Sequence, residues 1–354
     1  MTEVYVNRIA TAVPEHEGHA AFLRFARSRL QTHPARARLF DRMAERGGIE
    51  RRHCCYAPAD GGGASVDADG LFRRGAFPGT AARMRLYERH APGLAARAVA
   101  ALGVEGADVT HLVVTSCTGF FSPGIDLEIM RRCGLNPGVE RTIIGFMGCH
   151  AAVNALRLAR HAVRSEPGAR VLVVNLELCT LHLKETDEIE ELLTYYLWGD
   201  GCAAALVTAE PAGFRLDGFH SALAGGTADL MQWAIRDQGF DMTLSGQVPT
   251  AISRLLAEEG EAILGGRATS DIAMWAVHPG GRSVLDEVER SLGLGKASLA
   301  ASREVLRRFG NMSSATVMFV LKTLLDTGGD GHGCGMAFGP GLVVESFTFS
   351  RAAA

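Results

Sequence analysis

Ile272-Ala273-Met274-Trp275-Ala276-Val277-His278-Pro279-Gly280-Gly281 is an apolar run that stops at a histidine followed by a proline and two glycines. A short apolar run closed by turn residues reads as a buried strand. Upstream, His111-Leu112-Val113-Val114-Thr115 stops in the same manner at Ser116-Cys117-Thr118-Gly119. After each strand comes a glycine-led turn that opens a helix. Gly148-Cys149 follows the apolar Ile143-Ile144-Gly145-Phe146 and precedes a stretch whose Val153, Leu156, Ala159 and Val163 share one helical face. Gly310-Asn311 precedes residues 314–325, which stop at Gly328-Gly329. From Cys117 to Cys149 is 32 residues, and from His278 to Asn311 is 33. Strand ends and helix starts recurring at one spacing point to an internal duplication in an α/β chain, with an N-terminal half over residues 1–210 and a C-terminal half over 211–354. Further strands are read at Val171-Leu172-Val173-Val174 and, after the Gly199-Asp200-Gly201 turn, at residues 203–207. Two halves packed about a pseudo-twofold axis bring Cys149, His278 and Asn311 together. The competing reading is two unrelated α/β segments of coincident spacing.

The composition suits a soluble globular protein: 354 residues, 47% hydrophobic, 21% charged, net charge −3. It carries no global electrostatic signature of nucleic-acid or membrane binding. The eight cysteines, at 54, 55, 117, 133, 149, 179, 202 and 334, include no two CxxC pairs for a zinc site, and no metal is expected. No apolar run approaches the ~18 residues of a membrane span, so no membrane insertion is expected. Residues 1–10 have no signal-peptide pattern. The expected location is the cytoplasm, where a cysteine acts as a thiol. Residues 57–78, rich in Gly, Ala and Asp, read as a long mobile loop, and residues 39–46 as a basic helix stopped by Gly47-Gly48.

Cys149, at a helix N-terminus, meets unpaired N–H groups and a dipole that favour thiolate, and a nearby histidine able to take the proton adds to this. The expected thiol pKa is therefore low. Taken singly, Cys149 also reads as a small buried hydrophobe, His278 as a satisfied core histidine and Asn311 as a helix N-cap. Only their convergence makes a site.

These segments resemble the chalcone and stilbene synthase family, the type III polyketide synthases. The resemblance rests on Gly148-Cys149, His278-Pro279-Gly280-Gly281, Gly310-Asn311-Met312-Ser313-Ser314-Ala315, Phe338-Gly339-Pro340-Gly341-Leu342, Gly199-Asp200-Gly201 and Pro123-Gly124, in order over roughly residues 6–347. It implies a duplicated five-layered αβαβα thiolase fold, a homodimer, and coenzyme A thioesters as substrates with no cofactor. It further implies that Cys149 carries the starter acyl group from an acyl-CoA. His278 and Asn311 would then donate hydrogen bonds to the thioester carbonyl of malonyl-CoA, whose decarboxylation leaves an enolate. Arg42 and Arg46 match the family's coenzyme A phosphate contacts, while Leu39 stands where the family has a lysine. Gly280 and Gly281 fall in the family's substrate channel.

Several positions depart from the family pattern. Trp198 and, by a less direct alignment, Leu244 replace the two gatekeeper phenylalanines, and Cys117, Thr118, Cys179 and His182 fall on the cavity wall. Such changes argue against a coumaroyl starter and toward an aliphatic one. Arg282 is bulkier than the family's residue and either contacts phosphate or narrows the entrance. The rival readings are a single-condensation ketoacyl synthase III-like enzyme and a catalytically silent acyl-CoA binding subunit.

Overall fold

Leu112 and Val114 face one side of their strand and Val113 the other, and this period of two sorts the core into separate clusters. The structure, a computed structural model, describes residues 2–59 and 63–352. Among them run thirteen strands: β1 (Tyr5–Ala12), β2 (His16–Glu17), β3 (His53–Cys54), β4 (His111–Ser116), β5 (Glu140–Gly145), β6 (Val171–Leu178), β7 (Asp200–Thr208), β8 (Phe214–Leu223), β9 (Met231–Arg236), β10 (Gly239–Leu244), β11 (Ile272–Val277), β12 (His332–Gly339) and β13 (Val343–Arg351). The helices are α1 (His19–Arg29), α2 (Pro34–Gly47), α3 (Thr80–Leu102), α4 (Ile125–Arg132), α5 (Ala151–Ser165), α6 (Ile189–Leu197), α7 (Val248–Ile263), α8 (Arg282–Ser291), α9 (Ala300–Phe309) and α10 (Ala315–Thr327). Among the described residues no helix is long and apolar enough to cross a membrane.

Nine strands join in the order β11-β12-β13-β8-β1-β7-β6-β4-β5. The middle junction, β8 to β1, is held only by Tyr5↔Arg215 and Val6↔Phe214, so the sheet is two subsheets meeting at a short seam. Their pairings repeat. β4 is parallel to β6, β6 antiparallel to β7 and β7 antiparallel to β1. In the same way β11 is parallel to β12, β12 antiparallel to β13 and β13 antiparallel to β8. β5 alone has no counterpart in this scheme.

The α5–α10 layer lies between the subsheets. Val153, Leu156 and Ala159 of α5 and Val317–Leu321 of α10 pack with Val113, Val173 and Ala205 from one subsheet and Met274, Ala276 and Ala337 from the other. α10 buries seven successive residues, Ala315 to Leu321, because it is covered all round there, as a core helix must be. Leu112, Val114 and Leu172 face outward onto Tyr87, Leu94 and Ala98 of α3. Trp275, Val277 and Met336 face outward onto Ile252 and Leu255 of α7 and Leu285 of α8. The result is the five-layered αβαβα thiolase arrangement.

Residues 63–78 are irregular, but they are not the free loop that composition suggests. Val66 and Phe72 are buried. The Asp67 carboxylate accepts hydrogen bonds from Ser65 Oγ and from the N–H groups of Leu71 and Phe72 at 2.6–3.0 Å. Residues 60–62 of that stretch lie outside the described residues. α2 ends as expected, at Gly48 in the left-handed region (φ 71°).

Candidate active site

The turn before α5 is fixed by a close approach between halves. Gly148 has φ 85°, and a Cβ there would sit 2.3 Å from Pro340 Cδ. Cys149 is thereby delivered, buried, just before the helix, with His150 at the N-cap. Burial pushes its thiol up to about 11; hydrogen bonds from Ser313 and Asn311 act in the opposite sense, and the Glu177 carboxylate adds to the rise. The thiol is therefore raised where the sequence reading expects it depressed, because desolvation of the anion outweighs the hydrogen bonds that favour it.

His278 is reached where β11 ends, its backbone N–H donating to Met336 O at 2.8 Å. The side chain is buried, and neither ring nitrogen has a partner among the described residues. Burial, and then His150, push its pKa down to about 3, so the imidazole is neutral. Asn311 is locked by its backbone, donating to Leu197 O at 2.7 Å and accepting from Gly199 N–H at 3.0 Å. Its Nδ2 donates to Gly280 O at 3.1 Å and its Oδ1 accepts from Ser313 N–H at 2.8 Å. The N-cap of α10 is Ser314, so the cap reading of Asn311 does not hold. Gly280 links the pair: a Cβ on it would lie 3.7 Å from the His278 ring.

A cavity of about 40 Å³ is lined by Cys149 and Asn311 together with Cys117, Thr118, Cys179 and Trp198, all anticipated from sequence. His278 stands behind Gly280, outside that lining. Two other expected wall residues are also outside it. His182 is fully buried, its Nε2 2.8 Å from Thr118 O and its Nδ1 accepting from Phe240 N–H at 3.0 Å. With both nitrogens satisfied and its ring stacked on Phe240 at 4.2 Å, it supports the wall from behind. On β10 the wall residue is Met242; Leu244, two positions on, packs against the core.

Besides Met242, two residues of the site escaped the sequence reading. Trp233, on β9, lines the cavity, donates from Nε1 to Cys117 O at 2.8 Å and meets the Trp198 ring edge-on at 5.6 Å. Glu177 lies fully buried behind Cys117. It accepts from Cys117 N–H (3.0 Å), Thr118 Oγ1 (2.7 Å) and Ser314 Oγ (2.5 Å), so it ties both halves to the cavity wall. Burial raises its pKa, and these hydrogen bonds oppose the rise.

A second cavity, about 430 Å³, opens on the surface between α2, α6 and α8, with Met43, Arg46, Tyr196, Leu197, Gly281 and Arg282 in its wall. Leu197-Trp198 places one residue in each cavity, and Gly281 meets Leu197 at ordinary contact distance, 3.6 Å from a Cβ position. Any side chain at Gly281 would narrow this partition. Arg282 Nη1 donates to Arg46 O at 2.8 Å, clipping α8 to α2 across the opening. Arg42, one turn before Arg46, is exposed on α2 and outside the wall.

Comparison with known proteins accords with this geometry. The profile of chalcone and stilbene synthases, N-terminal domain, matches residues 78–211, and that of the C-terminal domain matches residues 220–352. An alpha-pyrone synthesis polyketide synthase-like protein, Pks18 of Mycobacterium tuberculosis, is 33% identical, covering 98% of this chain and 91% of its own. The chain belongs to the chalcone and stilbene synthase family. Bisdemethoxycurcumin synthase of Oryza sativa subsp. japonica is 34% identical over 87% of the chain and 81% of its own length. The crystal structure of PKS-I from the brown alga Ectocarpus siliculosus superposes with a TM-score of 0.88 at 29% identity, over 99% of each chain. The chain is thus a type III polyketide synthase, an acyltransferase.

Proposed function

We propose that this polyketide synthase loads an acyl-CoA starter on Cys149, extends it repeatedly with malonyl-CoA and releases a pyrone or resorcinol-type product. The observation that carries this reading is that Cys149 and Asn311, one from each half, line one cavity, while His278, whose ring nitrogens have no partner among the described residues, adjoins Asn311 through Gly280. In the first step Cys149 Sγ attacks the starter carbonyl while neutral His278 takes the thiol proton, and coenzyme A leaves as its thiol. In the second, His278 and Asn311 N–H groups donate to the malonyl thioester oxygen as carbon dioxide departs, stabilising the enolate in a water-poor site. The enolate carbon then bonds to the acyl carbon, and the Cys149 S–C bond breaks. No metal or redox group takes part. The surface cavity is read as the coenzyme A entrance, with Arg42 and Arg46 toward the phosphates and Gly280 and Gly281 keeping the passage open. Cys117, Thr118, Cys179, Trp198 and Trp233 set the size of the acyl pocket, and His182 and Leu244 shape it from behind.

The halves, 1–210 and 211–354, act as one catalytic unit in a cytoplasmic homodimer. Support for the dimer comes from β5, an open edge strand with exposed Ile143 (43%), beside exposed Phe120, Phe146 and Met147. An aliphatic starter of short or medium length is favoured, because Trp198 and Trp233 both line the pocket and meet edge-on rather than stacked; the mycobacterial relative is itself named for alpha-pyrone synthesis. The test is incubation with malonyl-CoA and a series of acyl-CoA starters, with products read by mass. Products carrying two or more added malonyl-derived units, with yield rising with chain length to a maximum, support the reading. A product one unit longer than every starter indicates the ketoacyl synthase III-like alternative, and no product at all indicates a silent binding subunit.

A further inference from the structure

The outer face of α2 has a character that nucleotide binding does not require. Arg36, Leu39, Met43 and Arg46 recur at three- and four-residue steps along one stripe, with Arg38 and Arg42 beside it. Leu39 is 40% and Met43 44% exposed, two of the few large apolar side chains left in solvent. Arg38, Arg42 and Arg46 have no carboxylate partner among the described residues, and Asp41 is engaged by Arg27 at 2.8 Å. The stripe ends at the surface cavity, where Met43 and Arg46 form part of the rim. It is also where the family's lysine is replaced by Leu39, which cannot pair with the phosphates of a free nucleotide.

We propose that this face docks a small acidic acyl carrier protein, which delivers its phosphopantetheine-tethered acyl group through the adjoining cavity. The proposal rests on the reading of Cys149 as the acyl acceptor. A ring of arginines around exposed leucine and methionine complements a surface of acidic residues with an apolar centre. The tether needs the passage but not the adenosine diphosphate contacts that a basic residue at position 39 would supply. The transfer is a thioester exchange: Cys149 Sγ bonds to the acyl carbon, the bond to the tether sulfur breaks, and that sulfur leaves with the proton lost by Cys149. No oxidant or reductant is involved.

The test compares one acyl group presented in two forms, on coenzyme A and on an acidic acyl carrier protein, and follows acylation of Cys149 by intact mass. Wild type, Leu39→Ser and Arg38→Ala are used, with Cys149→Ala as the blank. The expected result is carrier-dependent acylation that falls five- to tenfold in each variant and weakens with added salt, while the coenzyme A route stays within twofold. Absence of carrier-dependent acylation in a protein that accepts acyl-CoA overturns the proposal. So does an equal loss of both routes, which would make the face part of the coenzyme A site. Cosedimentation of wild type with anionic phospholipid vesicles, lost in both variants while carrier acylation is unchanged, would assign the face to a membrane instead. Failure of acyl-CoA itself to acylate Cys149 overturns the reading on which the proposal stands.

Discussion

At the scale of single residues the site holds a neutral thiol, a neutral imidazole and a carboxamide out of water. All the fully buried thiols are raised by burial: Cys149 to about 11, Cys54 and Cys334 to about 12, and Cys202 higher still. Cys149, least raised among these and on the cavity wall, is expected to react with iodoacetamide first among the buried cysteines, with loss of condensation. Cys133 is only half-buried, so the labelling is read by peptide mass in a Cys133→Ser background. Labelling of Cys54 or Cys334 ahead of Cys149 would contradict the assignment. Trp233 is the second residue to test. Trp233→Ala removes a ring from the wall and frees the Cys117 carbonyl, so the longest accepted starter should lengthen by several methylenes, each worth about 0.8 kcal/mol when buried. The stability loss should stay below the about 3–5 kcal/mol of a fully buried tryptophan, because this one is half-buried. A product profile unchanged by Trp233→Ala would remove the ring from the size limit. Cys149, His278 and Asn311 were legible because each sits where an apolar run or helix is interrupted by glycine. Trp233 and Glu177 were not, since a tryptophan in a short strand and a glutamate inside an apolar strand carry no local sign of what they face. The thiol pKa was misread because a helix terminus is visible in sequence and desolvation is not.

At the scale of elements, the strand-to-turn and turn-to-helix pattern was readable because strands covered on both faces are apolar throughout. What it could not convey is contact between distant segments. Gly148 and the Phe338–Leu342 segment are far apart in sequence, yet Pro340 occupies the space where a Gly148 side chain would go. Gly148→Ala therefore meets both a left-handed backbone and a neighbouring ring. The expected cost is roughly 1–3 kcal/mol of stability, with a drop in Cys149 acylation well beyond that seen for Ala at a neutral surface site. Thermal melting together with acylation by intact mass checks this, and a variant with unchanged melting and acylation would mean that the turn is not fixed by that contact. The segment over residues 63–78 teaches the converse: Gly and Asp suggested a free loop, whereas Asp67 uses its carboxylate to fold it around buried Val66 and Phe72.

At the scale of the whole molecule, matching spacing in the two halves, 32 and 33 residues, corresponds to matching strand pairing, and the shared α5–α10 layer lies between them. The strand without a counterpart in the nine-stranded sheet, β5, forms one of its two edges, and the proposed second copy adds there. Ile143→Arg should convert the proposed dimer to monomer in sedimentation velocity, leaving the fold intact by circular dichroism. The proposed chemistry divides labour between the thiol and the oxyanion donors, and malonyl-CoA decarboxylation reads that division. Cys149→Ala should retain decarboxylation without extension, His278→Ala should lose both, and the rate in Cys149→Ala should stay level from pH 5 to 9. Level behaviour follows because an imidazole pushed down to about 3 stays neutral throughout that window. Equal decarboxylation by His278→Ala and wild type, or an acid limb between pH 6 and 7 in Cys149→Ala that vanishes with His278, would contradict it.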